Sequence, residues 1–194
     1  MVYRLLQMES IPQGEIDKTL SCMDPLRQEQ VQRITHSDVW HATVCGEWLC
    51  KQMLSEQSGQ RFEDIRLWRD ENGKPQVKDL PLYFNISHSA GWVACAVSDS
   101  PIGIDLEVIQ NRDLSVARRI CSQEELDFIF AKDKDSLRRF LQVWTAKEAY
   151  VKLTGIGIKA MKEADFFALR EHLFSLEKDD CILSIIEATK SHLK

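Results

Sequence analysis

Several absences narrow this sequence before any motif is weighed. Its six cysteines (Cys22, Cys45, Cys50, Cys95, Cys121, Cys181) form no Cys-x-x-Cys pair and no Cys/His ligand spacing, so they read as reduced and mostly buried thiols. Positive charge is not in excess: 25 Lys and Arg against 30 Asp and Glu give a net charge of −5. Nucleic acid is therefore excluded as the main partner, although a local basic patch is enough to meet an acidic one. No apolar run approaches membrane-spanning length, and Met1 to Ser10 carries Arg4 and Glu9 where a signal peptide needs an apolar core. A cytoplasmic protein without a membrane partner is expected. Gly-x-Ser-x-Gly is missing, as are Pro/Ser-rich linkers, low-complexity tracts and short repeats. What is present is a chain of 194 residues, 44% hydrophobic, able to bury a core as one domain or as two small packed halves.

Local signals give a mixed chain. A strand is expected around Val2 to Met8, and Asp24-Pro25 supplies an N-cap and a first-turn proline for a helix to about Ile34. Ser37 or Asp38 starts a second helix carrying Trp40, Val44, Trp48, Leu49 and Met53, with Gly59 just past its end. Asn72-Gly73 signals a hairpin turn after Ile65–Leu67, and strands are expected at Leu82–Ile86, Trp92–Ser98 and Pro101–Ile109. Helix dominates afterwards up to Leu153, broken by Gly155 and Gly157 and followed by strand-like Phe166–Leu169 and Cys181–Ile186. Trp40, Trp48 and Trp68 are expected in the core.

Three carboxylates fall where apolar neighbours predict burial. Alternation over the Ile104 strand places Asp105 and Glu107 on one face. Glu148 lies on the helical stripe of Leu137, Phe140, Leu141, Trp144 and Val151. An unpaired buried carboxylate costs at least several kcal/mol, roughly, whereas a hard divalent ion satisfies two or three such groups together. Glu148 and Lys152 are also spaced as an ordinary helical ion pair. His88 stands between Ser87 and Ser89, but a nucleophile and its base are normally brought together from separated positions with an orienting third group, so a hydrolase is not supported. Gly73-Lys74-Pro75 places a lysine on a rigid turn.

These pieces carry a resemblance. The Gly73-Lys74-Pro75 turn, Phe84-Asn85-Ile86-Ser87-His88-Ser89, Pro101 through Glu107, and Trp144 through Lys152 followed by Gly155-Ile156-Gly157 occur together and in order. In that set the chain resembles the 4′-phosphopantetheinyl transferases, in particular the type that activates peptide synthetases such as the surfactin synthetase. The resemblance implies an α+β fold of two similar halves related by a pseudo-twofold axis, with the active site in the cleft between them. The halves would be 1–107 and 108–194, the second short at its end. It implies Mg²⁺ held by Asp105, Glu107 and Glu148, with Glu148 and Lys152 catalytic. Coenzyme A would be bound by Arg27, Thr43, Lys74, Pro75, Ser87, His88 and Lys152, with Lys147 in a supporting role. Gln30 and Ala42 stand where relatives carry cations, so only a small preference for coenzyme A over its 3′-dephospho form is expected.

The implied reaction moves the 4′-phosphopantetheine arm of coenzyme A onto a serine of an acyl or peptidyl carrier protein, releasing adenosine 3′,5′-bisphosphate, in fatty acid, polyketide or nonribosomal peptide synthesis. Carriers of this kind are acidic, and Arg112, Arg118, Arg119, Arg138 and Arg139 are candidates for a docking edge. A monomer is expected. Two rival readings are a non-catalytic coenzyme A-binding protein of the same fold and a metal-dependent phosphohydrolase acting on coenzyme A.

Overall fold

In the computed structural model, which describes residues 1–70, 73–131, 135–157 and 161–188, the chain is α+β and separates into two units, Met1–Pro101 and Ile102–Lys194.

The first unit begins with β1 (Val2–Gln7) and α1 (Gln13–Ser21). The second helix, α2 (Pro25–Gln32), starts as its sequence dictates: Asp24 Oδ1 accepts from the Leu26 N–H at 3.0 Å, and proline occupies the first turn. The long helix α3 (Ser37–Ser58) stops at Gly59, whose φ of +74° closes it in the left-handed region. A short antiparallel pair follows, β2 (Leu67–Arg69) with β3 (Pro75–Val77), turning through Gly73 at φ +79°; Asn72 lies outside the described residues. Then β4 (Tyr83–Ser89) and β5 (Trp92–Ser98) complete a three-stranded antiparallel sheet of order β1-β5-β4. Central β5 has Val93, Cys95 and Val97 buried in one core with Val44, Leu49 and Met53 of α3. Each such aliphatic side chain contributes about 1.5–3 kcal/mol by leaving water. Trp40 and Trp48 pack at the margin of this core, and the Trp48 indole N–H donates to Glu15 of α1 at 3.0 Å. Trp68, expected in the core, is instead 52% exposed on β2, where a two-stranded ribbon has too little cover to bury an indole.

The second unit opens on β6 (Ile102–Val108), because this strand is held by its pairing partner and by the long helix that follows it. Short α4 (Ala117–Ile120) and α5 (Gln123–Ile129) lead to α6 (Ser136–Thr154), which ends at Gly155, φ +72°. Phe166–Leu169, whose aromatic content suggested a strand, is helix α7. Asp165 decides this locally by accepting from the Phe167 and Ala168 N–H groups at 2.8 and 3.4 Å, and this cap overrides aromatic β-propensity. Strands β7 (Leu173–Lys178) and β8 (Cys181–Glu187) finish a second three-stranded antiparallel sheet, order β6-β8-β7. Asp179 and Asp180, both at positive φ, make the turn of that hairpin. No helix among the described residues is long and apolar enough to cross a membrane.

Candidate active site

Strand β6 and helix α6 carry the acidic constellation, and Gly103 sets their separation. A Cβ at this position would sit 2.0 Å from Ala149 O and 2.7 Å from Leu153 N, so only glycine lets the strand approach the helix backbone this closely. Gly103, Asp105 and Glu107 share one strand face by alternation. The approach therefore directs both carboxylates of β6 to the side where α6 carries Glu148 and Lys152. Asp105, only 5% exposed, accepts at Oδ1 from Lys152 Nζ at 2.6 Å, and the same ammonium donates to Ile104 O at 3.2 Å. Glu107 Oε2 accepts from Arg112 Nη2 at 2.8 Å. Glu148 is half-buried, and burial first, then the charges of Asp105 and Glu107, raise its pKa while Lys152 opposes them.

Half-buried Glu148 thus feels the charges of Asp105 and Glu107, and the three carboxylates offer only oxygen donors. That is the donor chemistry a hard divalent cation prefers, and it is the observation on which these residues fit such an ion. In the described geometry the charge is offset by Lys152 and Arg112. Among the described residues, no set of three or more acidic, histidine or cysteine side chains is already gathered as a metal site.

Lys147, given a supporting role by its place in the motif, is structural. Its ammonium is fully buried and paired with Glu125 at 2.7 Å, and it donates to the carbonyls of Ile120 and Met161 at 2.8 and 3.1 Å. Glu125 in turn accepts from the Ser122 and Phe166 N–H groups at 2.7 and 2.8 Å. One ion pair thereby ties α4, α5 and α7 to α6. The sequence signal for Glu125 was Ser122-x-x-Glu125, a capping box, which the structure contains.

The first unit holds a cavity of about 750 Å³ that brings together Arg27, Thr43, Pro75 and His88 from α2, α3, β3 and β4. Arg27 is fixed by its Nε, which donates to the buried Glu47 carboxylate at 3.1 Å. His88 shares its strand face with Ile86, another lining residue, while alternation turns Ser87 to the opposite face, where it is buried. Lys74 is half-buried beside the cavity rather than at an exposed tip. Its backbone N–H donates to Asp70 Oδ1 at 2.9 Å, and burial lowers its pKa against the pull of Asp70. Trp68, Arg66 and Arg69 also line the cavity. None carries a spacing signal in the sequence.

Comparison with known proteins covers both units. A family model described as the 4′-phosphopantetheinyl transferase superfamily matches residues 101–182, and another, described as 4′-phosphopantetheinyl transferase, N-terminal, matches residues 12–100. The chain is 35% identical over 173 residues to 4′-phosphopantetheinyl transferase Sfp of Bacillus subtilis (strain 168), covering 88% of this chain and 76% of the relative. It is 34% identical over 173 residues to 4′-phosphopantetheinyl transferase ffp of Bacillus subtilis, with the same shares of 88% and 76%. With 4′-phosphopantetheinyl transferase psf-1 of Bacillus pumilus it shares 39% identity over 118 residues, 60% of this chain and 51% of the relative.

Proposed function

This chain belongs to the 4′-phosphopantetheinyl transferase superfamily, and from that premise we propose that it transfers the 4′-phosphopantetheine arm of coenzyme A to a carrier-protein serine. The serine oxygen forms a bond to the β-phosphorus of the coenzyme, the phosphoanhydride bond breaks, and adenosine 3′,5′-bisphosphate leaves. Asp105, Glu107 and Glu148 hold Mg²⁺ in this reading. A bound Mg²⁺ would supply charge neutralisation at the pyrophosphate.

The protein's own residues do the rest. The observation that carries the proposal is the acidic face of β6 lying on α6, with Lys152 at Asp105. Glu148 accepts the serine proton directly or through a water. Lys152 offsets charge on the departing phosphate. Arg27, Thr43, Pro75 and His88 hold the coenzyme in the first unit's cavity, with Lys74 next to Pro75 at its edge, while Ser87, on the opposite strand face, is given no contact. The reading implies two similar halves. The similarity of the two halves that it implies is supported by their like content, a three-stranded antiparallel sheet with one long helix in each.

Of the arginines considered for carrier docking, Arg112 pairs with Glu107, Arg138 with Glu177, and Arg139 lies over Phe128 while donating to Ile129 O. Arg118 and Arg119 are exposed on α4, and the proposal assigns them to an acidic carrier. The reading is of a monomeric, cytoplasmic enzyme. Incubation with apo-carrier, coenzyme A and Mg²⁺, followed by mass spectrometry of the carrier, tests it. A mass gain of one phosphopantetheine supports it. An unmodified carrier, with or without loss of coenzyme A, overturns it.

A further inference from the structure

The cavity of the first unit holds more positive charge than the coenzyme residues account for. Besides Arg27 it is lined by Arg66, Arg69 and Lys78, against two acidic residues, Asp24 and Glu47. Both acids are engaged: Asp24 caps α2, and Glu47 holds Arg27. Arg69 has its own anchor, since its Nη1 donates to Gly73 O at 2.6 Å within the β2–β3 hairpin. Arg69 and Arg27 line the same cavity, and burial, and after it the Arg27 charge, depress the Arg69 pKa. Meanwhile Gln30 of α2 and Ala42 of α3 contribute only neutral side chains to the cavity. Two guanidiniums fixed separately on the wall of one cavity are suited to a dianion, because each presents a planar fork of donors to phosphate oxygens.

We infer that Arg69 and Arg27 form a paired-guanidinium subsite for a phosphomonoester dianion, and that Arg69 is the residue by which this protein selects coenzyme A over its 3′-dephospho form. The inference rests on the coenzyme A reading above and reverses the weak preference expected from Gln30 and Ala42. Arg66, whose Nη1 donates to Glu63 O, and Lys78 add to the field of the cavity without a contact being assigned to them.

Isothermal titration of the wild type, Arg69→Gln and Arg69→Lys with coenzyme A and with 3′-dephospho-coenzyme A decides it, with thermal midpoints confirming that each variant is folded. The wild type is expected to favour coenzyme A by about thirtyfold or more, roughly 2 kcal/mol. Arg69→Gln lowers that ratio about tenfold by weakening coenzyme A alone. Arg69→Lys, which keeps the charge and loses the fork, gives an intermediate ratio and decides the matter if the glutamine variant does not fold. An unchanged ratio in a variant that still binds coenzyme A overturns the inference and leaves the coenzyme reading standing. Equal weakening of both forms also overturns it, since the group held would then be the pyrophosphate or the hairpin itself. If the wild type binds neither form, the coenzyme reading fails and this inference falls with it.

Discussion

Lys152 Nζ lies 2.6 Å from Asp105 Oδ1, which makes one residue of helix α6 the direct counter-ion of the acidic strand β6. Asp105 therefore has two kinds of work, holding Lys152 in the folded protein and, in the proposed reaction, serving the cation.

The two roles separate in mutants. Asp105→Ala is expected to lower kcat/KM on the order of a thousandfold and to lower the thermal midpoint as well, because it strips a partner from a partly buried ammonium. Glu148→Gln is expected to lose activity on the same scale. The double mutant should be little worse than the poorer single mutant, as for residues that act as a unit. Kinetics in Mg²⁺ and in chelator check this; losses that multiply would show that the two carboxylates act independently.

Glu148 also sets a pH signature of stability. Folded Glu148 holds its proton above the ordinary value of 4.5, so its contribution to stability is fully present below that pH and is lost as pH rises through the folded value. Glu148→Gln, which never ionises, should match the wild type in acid and become progressively more stable than it toward neutral pH, in chelator. Thermal midpoints from pH 4 to pH 8 measure the difference. A difference that does not change with pH would mean that Glu148 is not disfavoured as an anion.

Of the glycines, Gly103 is the one where an added methyl meets backbone most closely. The new methyl meets backbone atoms of Ala149 and Leu153, so strand and helix must part. A loss of more than about 3 kcal/mol in urea unfolding, with loss of transfer activity, is expected. Gly14→Ala, which meets nothing within 4 Å, is the control and should leave both nearly unchanged.

Lys147→Met leaves the buried Glu125 carboxylate without its ammonium and should cost about 3–5 kcal/mol. Adding Glu125→Leu should recover part of that loss, because two apolar groups replace the pair. Denaturant midpoints of the four proteins test this. If the double mutant is as unstable as the sum of the singles, the pair is not the unit that holds α4, α5 and α7.

If Arg118 and Arg119 meet an acidic carrier, reversing both to Glu should raise the carrier KM about tenfold or more, and added salt should raise the wild-type KM in the same direction. The KM for coenzyme A should move little. Carrier kinetics that ignore both changes would assign this face to solvent.

Much of this architecture was legible because it is written in local chemistry. Asp24-Pro25, Gly59 and Gly155 mark helix ends by satisfying or relieving particular backbone groups, and an uninterrupted apolar run over Trp92–Val97 and alternation over Ile102–Val108 mark buried strands. The acidic site was legible for the same reason, since Asp105, Glu107 and Glu148 break apolar patterns. What escaped is decided at a distance or lacks a pattern. Helix α1 has no side-chain cap, β7 is a polar edge strand, and α7 depends on Asp165 together with Glu125 from another helix. Arg69 of β2 and Arg27 of α2 line one cavity from distant stretches of chain, and no spacing rule reaches that far.

The contact at Gly103 has a consequence for how this enzyme can vary. Strand and helix touch there through main-chain atoms, which every amino acid shares, so the spacing of the acidic residues is insulated from drift in the surrounding aliphatic side chains. Ile104, Leu106, Leu183 and Val143 can exchange with residues of similar volume over generations while the distance between β6 and α6 stays the same. The same insulation removes the usual remedy for error. A side chain gained at Gly103 collides with an oxygen and a nitrogen that no second substitution can make smaller.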